Sequence, residues 1–237
     1  MDLSPTVSAM RVAQRAWAAL PVRVRAAHLL QVRERLVASA EQLAQLVSEE
    51  TGKSSTDAWF ADVVPNLDLF TWWAGPGSKA LSPRRSKLSV LRYPAKEGEL
   101  VYEAKGIVGL ITPWNYPAAL PLRAMIPALL AGNALLFKPS EVTPKTGALI
   151  ASLFSEVLPG GLVALVQGDA EAGRAVVDVS DHVVFIGGEA AGRQVAARAA
   201  ERLISVSLEL GGKDAALVLS DCDLERSVAG VLWGAFT

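Results

Sequence analysis

Cysteine and histidine are scarce in this sequence, and their scarcity narrows the possible chemistry. The 237 residues include one cysteine, Cys222, and two histidines, His28 and His182. One cysteine forms no internal disulfide, and these residues show no zinc-ligand spacing, so we predict no metal site. The low cysteine content is typical of a reducing compartment, and we expect the protein to be cytoplasmic.

The sequence also lacks a charge imbalance and a long apolar run. It has 23 Lys and Arg residues against 24 Asp and Glu residues, which excludes an overall field that attracts nucleic acid or an anionic membrane. The best apolar stretch, residues 124–137, is interrupted by a proline, a glycine and an asparagine. The first residues lack the pattern of a secretory signal. We therefore expect a small-molecule ligand, with neither nucleic acid nor membrane as a partner.

Apolar residues are plentiful, at 51% of the chain, and can bury a substantial core in one large or two small domains. Their recurrence at every third or fourth position from 29 to 47 predicts a helix that ends at Thr51-Gly52. The aromatic-rich stretch 59–73, interrupted by Pro65, predicts two short helices. Residues 75–89, rich in Gly, Pro and Ser, are typical of a surface connection.

From residue 88 onward, the pattern predicts a β-hairpin and then an α/β sheet. Residues 88–93 and 99–104 are strand-like and flank a turn. Beyond them, apolar runs alternate with helical patterns, which predicts parallel strands buried on both faces. The predicted strands are 107–111, 134–137, 162–166, 182–186, 204–209 and 215–219. The predicted helices are 120–130, 144–157, 170–177 and 190–201, with a further helix near 224–236.

The turn from Thr112 to Pro117 follows the first of these strands. Ligands of open α/β sheets bind outside the carboxyl ends of the strands, so this turn is a candidate site. Pro113 and Pro117 stiffen it and hold the Asn115 amide in place, which suits a donor to an oxyanion. The alternative is an asparagine that satisfies backbone groups of its own turn, and the residues by themselves favour this alternative.

Lys138, Ser140 and Glu141 follow the second strand. Both charged side chains could reach ribose hydroxyls, where a charge-assisted hydrogen bond contributes roughly 1.5 to 3 kcal/mol. Glu141 would repel the extra phosphate of NADP at the same place, which favours NAD. The equal alternative is a solvated Lys-Glu pair that caps the following helix.

Two further strand ends carry candidate residues. Gly187 and Gly188, after Phe185, would let backbone amides approach a pyrophosphate at a helix N-terminus, or would simply close a turn. Glu209 lies between leucines, where a carboxylate is costly to desolvate, and this favours a buried general base. The alternative for Glu209 is a structural ion pair with Lys213.

The remaining reactive side chains are predicted to be structural. Cys222 lies between Asp221 and Asp223, whose charges oppose formation of a thiolate. Neither histidine lies near a serine in a nucleophile-elbow pattern. Lys53 follows the helix stop at Gly52, and we expect it to be solvated.

From about Glu50 to Thr237, the order and spacing of these motifs resemble the aldehyde dehydrogenase family. The resemblance rests on Pro113-Trp114-Asn115, on Lys138-Pro139-Ser140-Glu141 and on residues 208–213. It implies a Rossmann-like open parallel sheet with flanking helices, an N-terminal helical segment and a protruding hairpin. The implied divisions are an N-terminal helical part (1–83), an oligomerisation hairpin (84–104), an NAD-binding domain (105–208) and the start of a second, incomplete α/β catalytic domain (209–237).

The resemblance also implies an oxidoreductase that converts an aldehyde to a carboxylic acid. Asn115 would stabilise an oxyanion, and Glu209 would activate the water that hydrolyses a thioester. The implied cofactor is NAD, with NADP disfavoured, and the implied assembly is a homodimer or homotetramer. The residues implied to hold the cofactor are Ile111, Thr112, Pro113, Trp114, Lys138, Ser140, Glu141, Gly168, Phe185, Gly187, Gly188, Leu210 and Gly211.

Two departures from the family's pattern matter. The family commonly has Thr-Gly-Ser where Ile186-Gly187-Gly188 stand here, so a hydroxyl that could contact the pyrophosphate is missing. The sequence also stops at Thr237, a few residues before the family's cysteine nucleophile, and we expect the chain alone to be inactive. The alternatives are a non-catalytic dinucleotide-binding module or pseudoenzyme, and a fragment whose helix 224–236 exposes its apolar residues.

Overall fold

A five-stranded parallel sheet lies at the centre of the fold, beside a small antiparallel pair of strands. The computed structural model describes residues 1–236. The strands are β1 (Arg84–Ser86), β2 (Gly98–Leu100), β3 (Ile107–Ile111), β4 (Ala134–Lys138), β5 (Val163–Leu165), β6 (His182–Gly187) and β7 (Ser205–Leu210). The α-helices are α1 (Ser4–Ala18), α2 (Val22–Ala38), α3 (Ala40–Thr51), α4 (Ser55–Asp57), α5 (Val64–Ala74), α6 (Ala119–Leu130), α7 (Pro144–Ser155), α8 (Ala170–Val179), α9 (Glu189–Glu201) and α10 (Leu224–Phe236). A π-helical turn, Ala58–Val63, precedes α5, and a 3₁₀ helix, Pro76–Leu81, follows it.

The strand order of the parallel sheet is β5-β4-β3-β6-β7, which confirms the predicted Rossmann-like open sheet. Within this sheet, the chain enters at the central strand β3 and continues outward through β4 to β5. It then crosses back over β3 to form β6 and β7 on the other side. Right-handed crossovers place α6 and α7 on one face of the sheet and α8 and α9 on the other. The order therefore reverses between β3 and β6, and a crevice opens at the carboxyl ends of these strands.

The core is densest at the centre of the sheet. Every residue of β3 and β4 is buried, as expected for parallel strands covered on both faces. Gly109 lets α8 approach β3 closely, because a Cβ atom at this position would collide with Val176 and Ser180. The crevice is consequently built on a rigid base.

The N-terminal helices α1 and α2 are joined to the C-terminal end of α6 by side-chain hydrogen bonds. Trp17 donates its indole N–H to the Leu129 carbonyl at 2.8 Å, and the buried Arg25 donates to the Leu130 carbonyl at 2.8 Å. Both carbonyls are in the last turn of α6, where intrahelical donors run out. The Leu129 carbonyl also accepts from the Gly132 N–H, so Trp17 adds a second bond to it. The N-terminal segment is thus part of the same packed unit as the sheet.

Two helical predictions need correction. The predicted continuous helix over 29–47 is two helices, α2 and α3, with a break at Ser39. The apolar period continues through the break because α2 packs on α5 while α3 packs on α7. In the stretch 59–73, the change of helix type falls before Val64 and not at Pro65, since a proline is tolerated in the first turn of a helix.

Two strand predictions were wrong. The first hairpin strand is β1 and not residues 88–93, because Arg84 pairs with Leu100 and Ser86 with Gly98. The residues 88–93 form turns, in which Leu91 is 97% exposed. No strand forms at 215–219 in the described chain, and Leu217 is 87% exposed there. Both segments have strand-like composition, but a strand also needs a neighbour for its backbone groups.

Candidate functional site

A cavity of about 580 Å³ lies at the carboxyl ends of β3, β4 and β6, beside the reversal of strand order. Its size is in the range of small-ligand sites. It is the place where an open α/β sheet binds a ligand. Its walls include these residues predicted from the sequence: Ile111, Thr112, Pro113, Lys138, Ser140, Glu141, Phe185, Gly187 and Gly188.

Thr112, directly after β3, brings a polar atom without a protein partner to this cavity. Its backbone N–H donates to the Lys138 carbonyl at 3.2 Å, which joins the ends of the two central strands. Its side chain is 4% exposed, and no atom of residues 1–236 makes a hydrogen bond to its hydroxyl. A buried hydroxyl without a partner is unfavourable, so this group favours a polar ligand in the cavity.

Lys138 and Glu141 form an ion pair across the turn that follows β4, with 3.0 Å between the Lys Nζ and Glu Oε2 atoms. The ammonium is buried, at 6% side-chain exposure, whereas the carboxylate is 58% exposed. The backbone N–H of Glu141 and then the Lys138 ammonium lower the pKa of Glu141. The carboxylate is therefore negatively charged at neutral pH and lies at the wall of the cavity.

This pair is not the solvated helix cap that the sequence left open as an alternative. The first-turn N–H groups of α7, from Lys145 and Thr146, donate to the carboxylate of Glu50 at 2.8 and 2.9 Å. Glu50 is at the end of α3, about a hundred residues away in the chain. The cap of α7 is therefore supplied by the N-terminal helices, which leaves the Lys138 side chain at the cavity.

The N-terminus of α9 is at the cavity beyond β6. Gly188 is its N-cap, and no side chain in the described part of the chain caps this helix. A Cβ atom on Gly188 would meet no atom within 4 Å, so the backbone there is open to a ligand. Unpaired N–H groups and the helix dipole together favour an anion such as a phosphate. The hydroxyl missing at this turn does not remove these backbone donors.

Sequence reasoning missed the wall of the cavity that α8 and α9 supply. These residues are Asp169, Ala170, Gly173, Arg174, Val177, Ala191, Gln194, Val195, Ala197, Arg198 and Glu201, together with Ile186 at the end of β6. Most lie inside helices, where a periodic pattern predicts packing but does not reveal which element lies opposite. The one available signal was Gly173 in mid-helix, which lies against Ile111.

Four predicted cofactor residues do not line this cavity: Trp114, Gly168, Leu210 and Gly211. Trp114 is half exposed on the turn after β3. Gly168 has a φ of 140°, and this conformation leads into Asp169, which caps α8 and does line the cavity. Leu210 ends β7 and packs on Gly192 of α9, and Gly211 follows it.

Asn115 is exposed on the turn between β3 and α6. Its carboxamide makes no hydrogen bond to any residue from 1 to 236, so the alternative that it satisfies backbone groups of its own turn is wrong. The start of this turn lines the large cavity. Its end borders a second cavity of about 330 Å³, whose lining residues are Phe60, Ala61, Pro65, Tyr116, Ala119, Leu120 and Arg123. Asn115 thus stands in the chain between residues that line the two cavities, and it lines neither of them itself.

Glu209 is exposed, and the expectation that leucines bury it is wrong. Its strand, β7, is the last in the sheet and pairs with β6 on one side alone within the described residues. Leu208 and Leu210 point away from Glu209 because side chains alternate along a strand. The alternative ion pair with Lys213 is also absent from residues 1–236.

In residues 1–236, no three His, Cys, Asp or Glu side chains are grouped as metal ligands. No helix in the same range combines the length and apolar character needed to cross a membrane.

Comparisons with known proteins agree with this geometry. The sequence profile of the aldehyde dehydrogenase family matches residues 1–237. A 4,4'-diapolycopene aldehyde oxidase from Methylomonas sp. is 40% identical over 222 residues, covering 93% of this chain and 42% of that protein. A protein of Mycolicibacterium smegmatis, named as a candidate NADP-dependent succinate-semialdehyde dehydrogenase, is 36% identical over 238 residues, covering 100% of this chain and 46% of that protein.

Among solved structures, the NAD⁺ complex of an aldehyde dehydrogenase from Bacillus cereus superposes with a TM-score of 0.91 and 30% identity. The superposition covers 98% of this chain and 48% of that one. The chain therefore spans a little under half the length of each of these relatives. The match of its whole length to the family profile, with the same α/β architecture, shows that the chain belongs to the aldehyde dehydrogenase family, a family of oxidoreductases.

Proposed function

We propose that this chain provides the dinucleotide site of an enzyme that oxidises an aldehyde to a carboxylic acid with NAD. The observation that carries the proposal is the convergence of three groups on one cavity. They are the unpartnered Thr112 hydroxyl, the buried Lys138 ammonium and the uncapped N-terminus of α9. A dinucleotide offers ribose hydroxyls and a pyrophosphate, which match these donors and acceptors.

The bound nicotinamide would supply the hydride acceptor of the reaction. Asn115 would donate its free amide N–H to the oxygen of the aldehyde as negative charge develops there. Removing one such donor typically lowers the rate by about 100- to 1000-fold. Glu209, with an unpaired carboxylate, would take the proton from the hydrolytic water. The second cavity, beside Tyr116, would accommodate the aldehyde's substituent.

The preference for NAD over NADP rests on Glu141. Its carboxylate remains charged at neutral pH and lines the cavity next to Lys138, where the adenosine ribose would bind. A phosphate on this ribose would meet a like charge. A Glu141→Gln variant should therefore bind NADP more tightly than the parent chain does, and an unchanged ratio of the two affinities would contradict this assignment.

Calorimetric titration of NAD into the purified chain tests the proposal. We expect saturable binding that Lys138→Ala and Glu141→Ala weaken by about tenfold or more each, the effect of losing a charge-assisted hydrogen bond. Thr112→Val should also weaken binding without lowering the unfolding midpoint, because it removes an unpaired buried hydroxyl. Lys145→Ala is the matched control, since this exposed lysine does not line the cavity. A folded chain that binds no dinucleotide would overturn the proposal.

A dinucleotide-binding module without chemistry is the second candidate. The chain's one thiol, Cys222, is flanked by Asp221 and Asp223, which makes it a poor nucleophile. NAD binding without formation of NADH from any aldehyde tried would favour this candidate for the chain as given. Aldehyde-dependent formation of NADH would favour the enzyme.

We also propose that the hairpin region 84–104 forms the contact of a homodimer or homotetramer. It carries exposed apolar side chains that no other described element covers, among them Val90, Leu91 and Tyr93. Light scattering would show a mass above that of one chain, 25.0 kDa, and Leu91→Asp should lower it. A monomer at all concentrations would contradict this assignment.

A further inference from the structure

Asp62 is a fully buried carboxylate on the π-helical turn Ala58–Val63. Its Oδ1 atom accepts hydrogen bonds from the backbone N–H groups of Ala118 and Ala119, at 3.0 and 2.9 Å. These groups open α6, and no side chain of α6 caps them. A negative charge at this end of a helix is favourable. Asp62 is therefore the cap of α6, supplied from a helix far away in the sequence.

Lys53 completes the arrangement and is not the solvated lysine expected from the sequence. Gly52 ends α3 with a φ of 77°, and the chain then turns so that the Lys53 Nζ atom lies 2.8 Å from the Asp62 Oδ2 atom. The Lys53 side chain is 19% exposed. Its ammonium also lies over the Tyr116 ring, 3.7 Å from the ring centroid, which is a cation-π contact.

The two contacts hold the turn that carries Asn115. Tyr116 directly follows Asn115 in the chain, and Ala118 and Ala119 come just after. Between them Pro117 restricts the backbone further. Asn115 makes no hydrogen bond of its own within residues 1–236, so the backbone of the turn sets the position of its Cβ atom and therefore the region that its amide can reach.

Packing alone does not explain a charged pair at this place. A buried ion pair costs several kcal/mol of desolvation, and apolar residues of similar volume often serve stability equally well. A π-helical turn is also rare and is frequent at functional sites. The two charges make contacts that apolar residues cannot make. The Asp62 carboxylate accepts from the first N–H groups of α6, and the Lys53 ammonium lies over the Tyr116 ring.

We propose that Asp62 and Lys53 are positioning residues for Asn115: their ion pair holds the turn so that the Asn115 amide faces the space between the two cavities. This inference rests on the proposed function, because it assigns Asn115 as the oxyanion donor. The pair itself touches neither cofactor nor aldehyde in this assignment.

The chain contains three asparagines, Asn66, Asn115 and Asn133, so ¹⁵N-asparagine labelling gives one backbone amide signal and one pair of carboxamide signals for each of them. The test variant is Lys53→Met with Asp62→Leu, which replaces the pair by apolar residues and should remain folded. Lys53→Arg keeps the charge and should keep the parent spectrum. The control variant, Arg35→Met with Glu156→Ser, removes an exposed ion pair between α2 and the end of α7, away from both cavities.

In the test variant, we expect the Asn115 signals to shift and its backbone amide to show the relaxation of a mobile turn. In uniformly ¹⁵N-labelled protein, the amides of Ala118 and Ala119 should exchange with solvent about tenfold faster or more, as expected on loss of a hydrogen bond to a charged group. Asn66 donates to the Asp62 backbone carbonyl at 2.7 Å and reports the local helix, and Asn133 reports the sheet. The Asn133 signals should be unchanged. The Asn66 signals shift because residue 62 is replaced beside them, but their relaxation should remain that of an ordered helix.

Unchanged Asn115 signals in the folded test variant would overturn the proposal. Loss of order at Asn66 together with Asn115 would overturn it as well, because it would show that the pair merely holds the helix together. Loss of Asn115 order in the control variant would have the same consequence. The spectra are recorded without NAD, so failure of the proposed dinucleotide binding, seen by calorimetry, is a separate result.

Discussion

The central strands and the C-terminal helix of this chain are both rich in apolar residues, but the strands are buried and the helix is exposed. In β3 and β4, every residue is buried. In α10, no described residue is buried, and Trp233 and Phe236 are 72% and 83% exposed. The difference shows that an apolar pattern determines secondary structure locally, whereas burial depends on what the rest of the molecule places opposite.

The two regions also differ in their polar contacts. Carboxylates from distant helical segments hold the turns after β3 and β4. Asp62 accepts a backbone hydrogen bond from Ala118 after β3, and Glu50 accepts one from Lys145 after β4. The strand β7, before α10, has an open edge and an exposed Glu209 within the described residues. The cavity with candidate cofactor residues lies in the first region, where the backbone is held on several sides.

The largest predicted difference between the two regions is in the stability lost when a phenylalanine of each region is replaced by alanine. Phe137→Ala in β4 removes a fully buried ring and should lower the free energy of unfolding by about 3 to 5 kcal/mol. Phe236→Ala in α10 should change it by less than about 0.5 kcal/mol. Urea unfolding of both variants measures the contrast. An equal loss in Phe236→Ala would mean that α10 is packed in solution.

A second prediction concerns the acid that ties α1 to the start of the sheet. Asp181 receives two hydrogen bonds from Arg11, at 2.8 and 2.9 Å, and one from the Ile107 backbone at 2.8 Å. Burial alone would raise the pKa of Asp181, but the hydrogen bonds from Arg11 and Ile107 and the charge of Arg11 outweigh it and hold the pKa below its ordinary value. The ion pair therefore stabilises the fold fully above about pH 5 and progressively less as the pH falls below about 4.

Asp181→Asn should cost about 1.5 to 3 kcal/mol at pH 7 and flatten the acid limb of stability against pH. Asp178→Asn is the control, since Asp178 pairs with Arg198 at the surface and should matter by less than about 1 kcal/mol. Urea midpoints between pH 3 and 7 give both values. If Asp181→Asn loses stability as steeply with acid as the parent chain, other carboxylates cause the loss.

A smaller effect is expected at the cap of α7. Glu50→Gln weakens the two bonds to Lys145 and Thr146 and should lower stability by about 0.5 to 2 kcal/mol. The neighbouring Glu49→Gln is the matched control, because Glu49 is exposed and bonded within α3. Since Glu50 holds the turn after β4, NAD binding should weaken in Glu50→Gln alone. Equal behaviour of the two variants would show that the cap is not needed.

The smallest change in stability is expected from a charge on α10. Leu232→Glu, at a position 52% exposed, should leave the unfolding midpoint within about 0.5 kcal/mol. It should instead reduce self-association, because a contiguous apolar surface favours aggregation. Sedimentation of the parent and variant chains shows the difference. A loss of stability equal to that in Phe137→Ala would contradict the contrast between the regions.

Local signals predicted most of the sheet and its crossover helices. The runs at β3 and β4 are apolar and uninterrupted, which is how doubly covered parallel strands look in sequence, and the turn residues after them pointed to the cavity. The hairpin register and the strand expected at 215–219 were wrong, because pairing depends on a neighbour that composition does not specify. The α8 and α9 wall of the cavity was missed for the same reason.

By itself, the sequence predicted all five strands of the parallel sheet, together with one at 215–219 that does not form, and it placed Thr112, Lys138, Glu141 and Gly188 after those strands. The tertiary structure decided which of the remaining polar residues work together. Glu50 caps α7, Asp62 caps α6, Lys53 is half-buried beside Asp62, and Glu209 is exposed. A side chain's burial and partners depend on which elements meet in space, and helices about a hundred residues apart along the chain meet only when the whole fold brings them together.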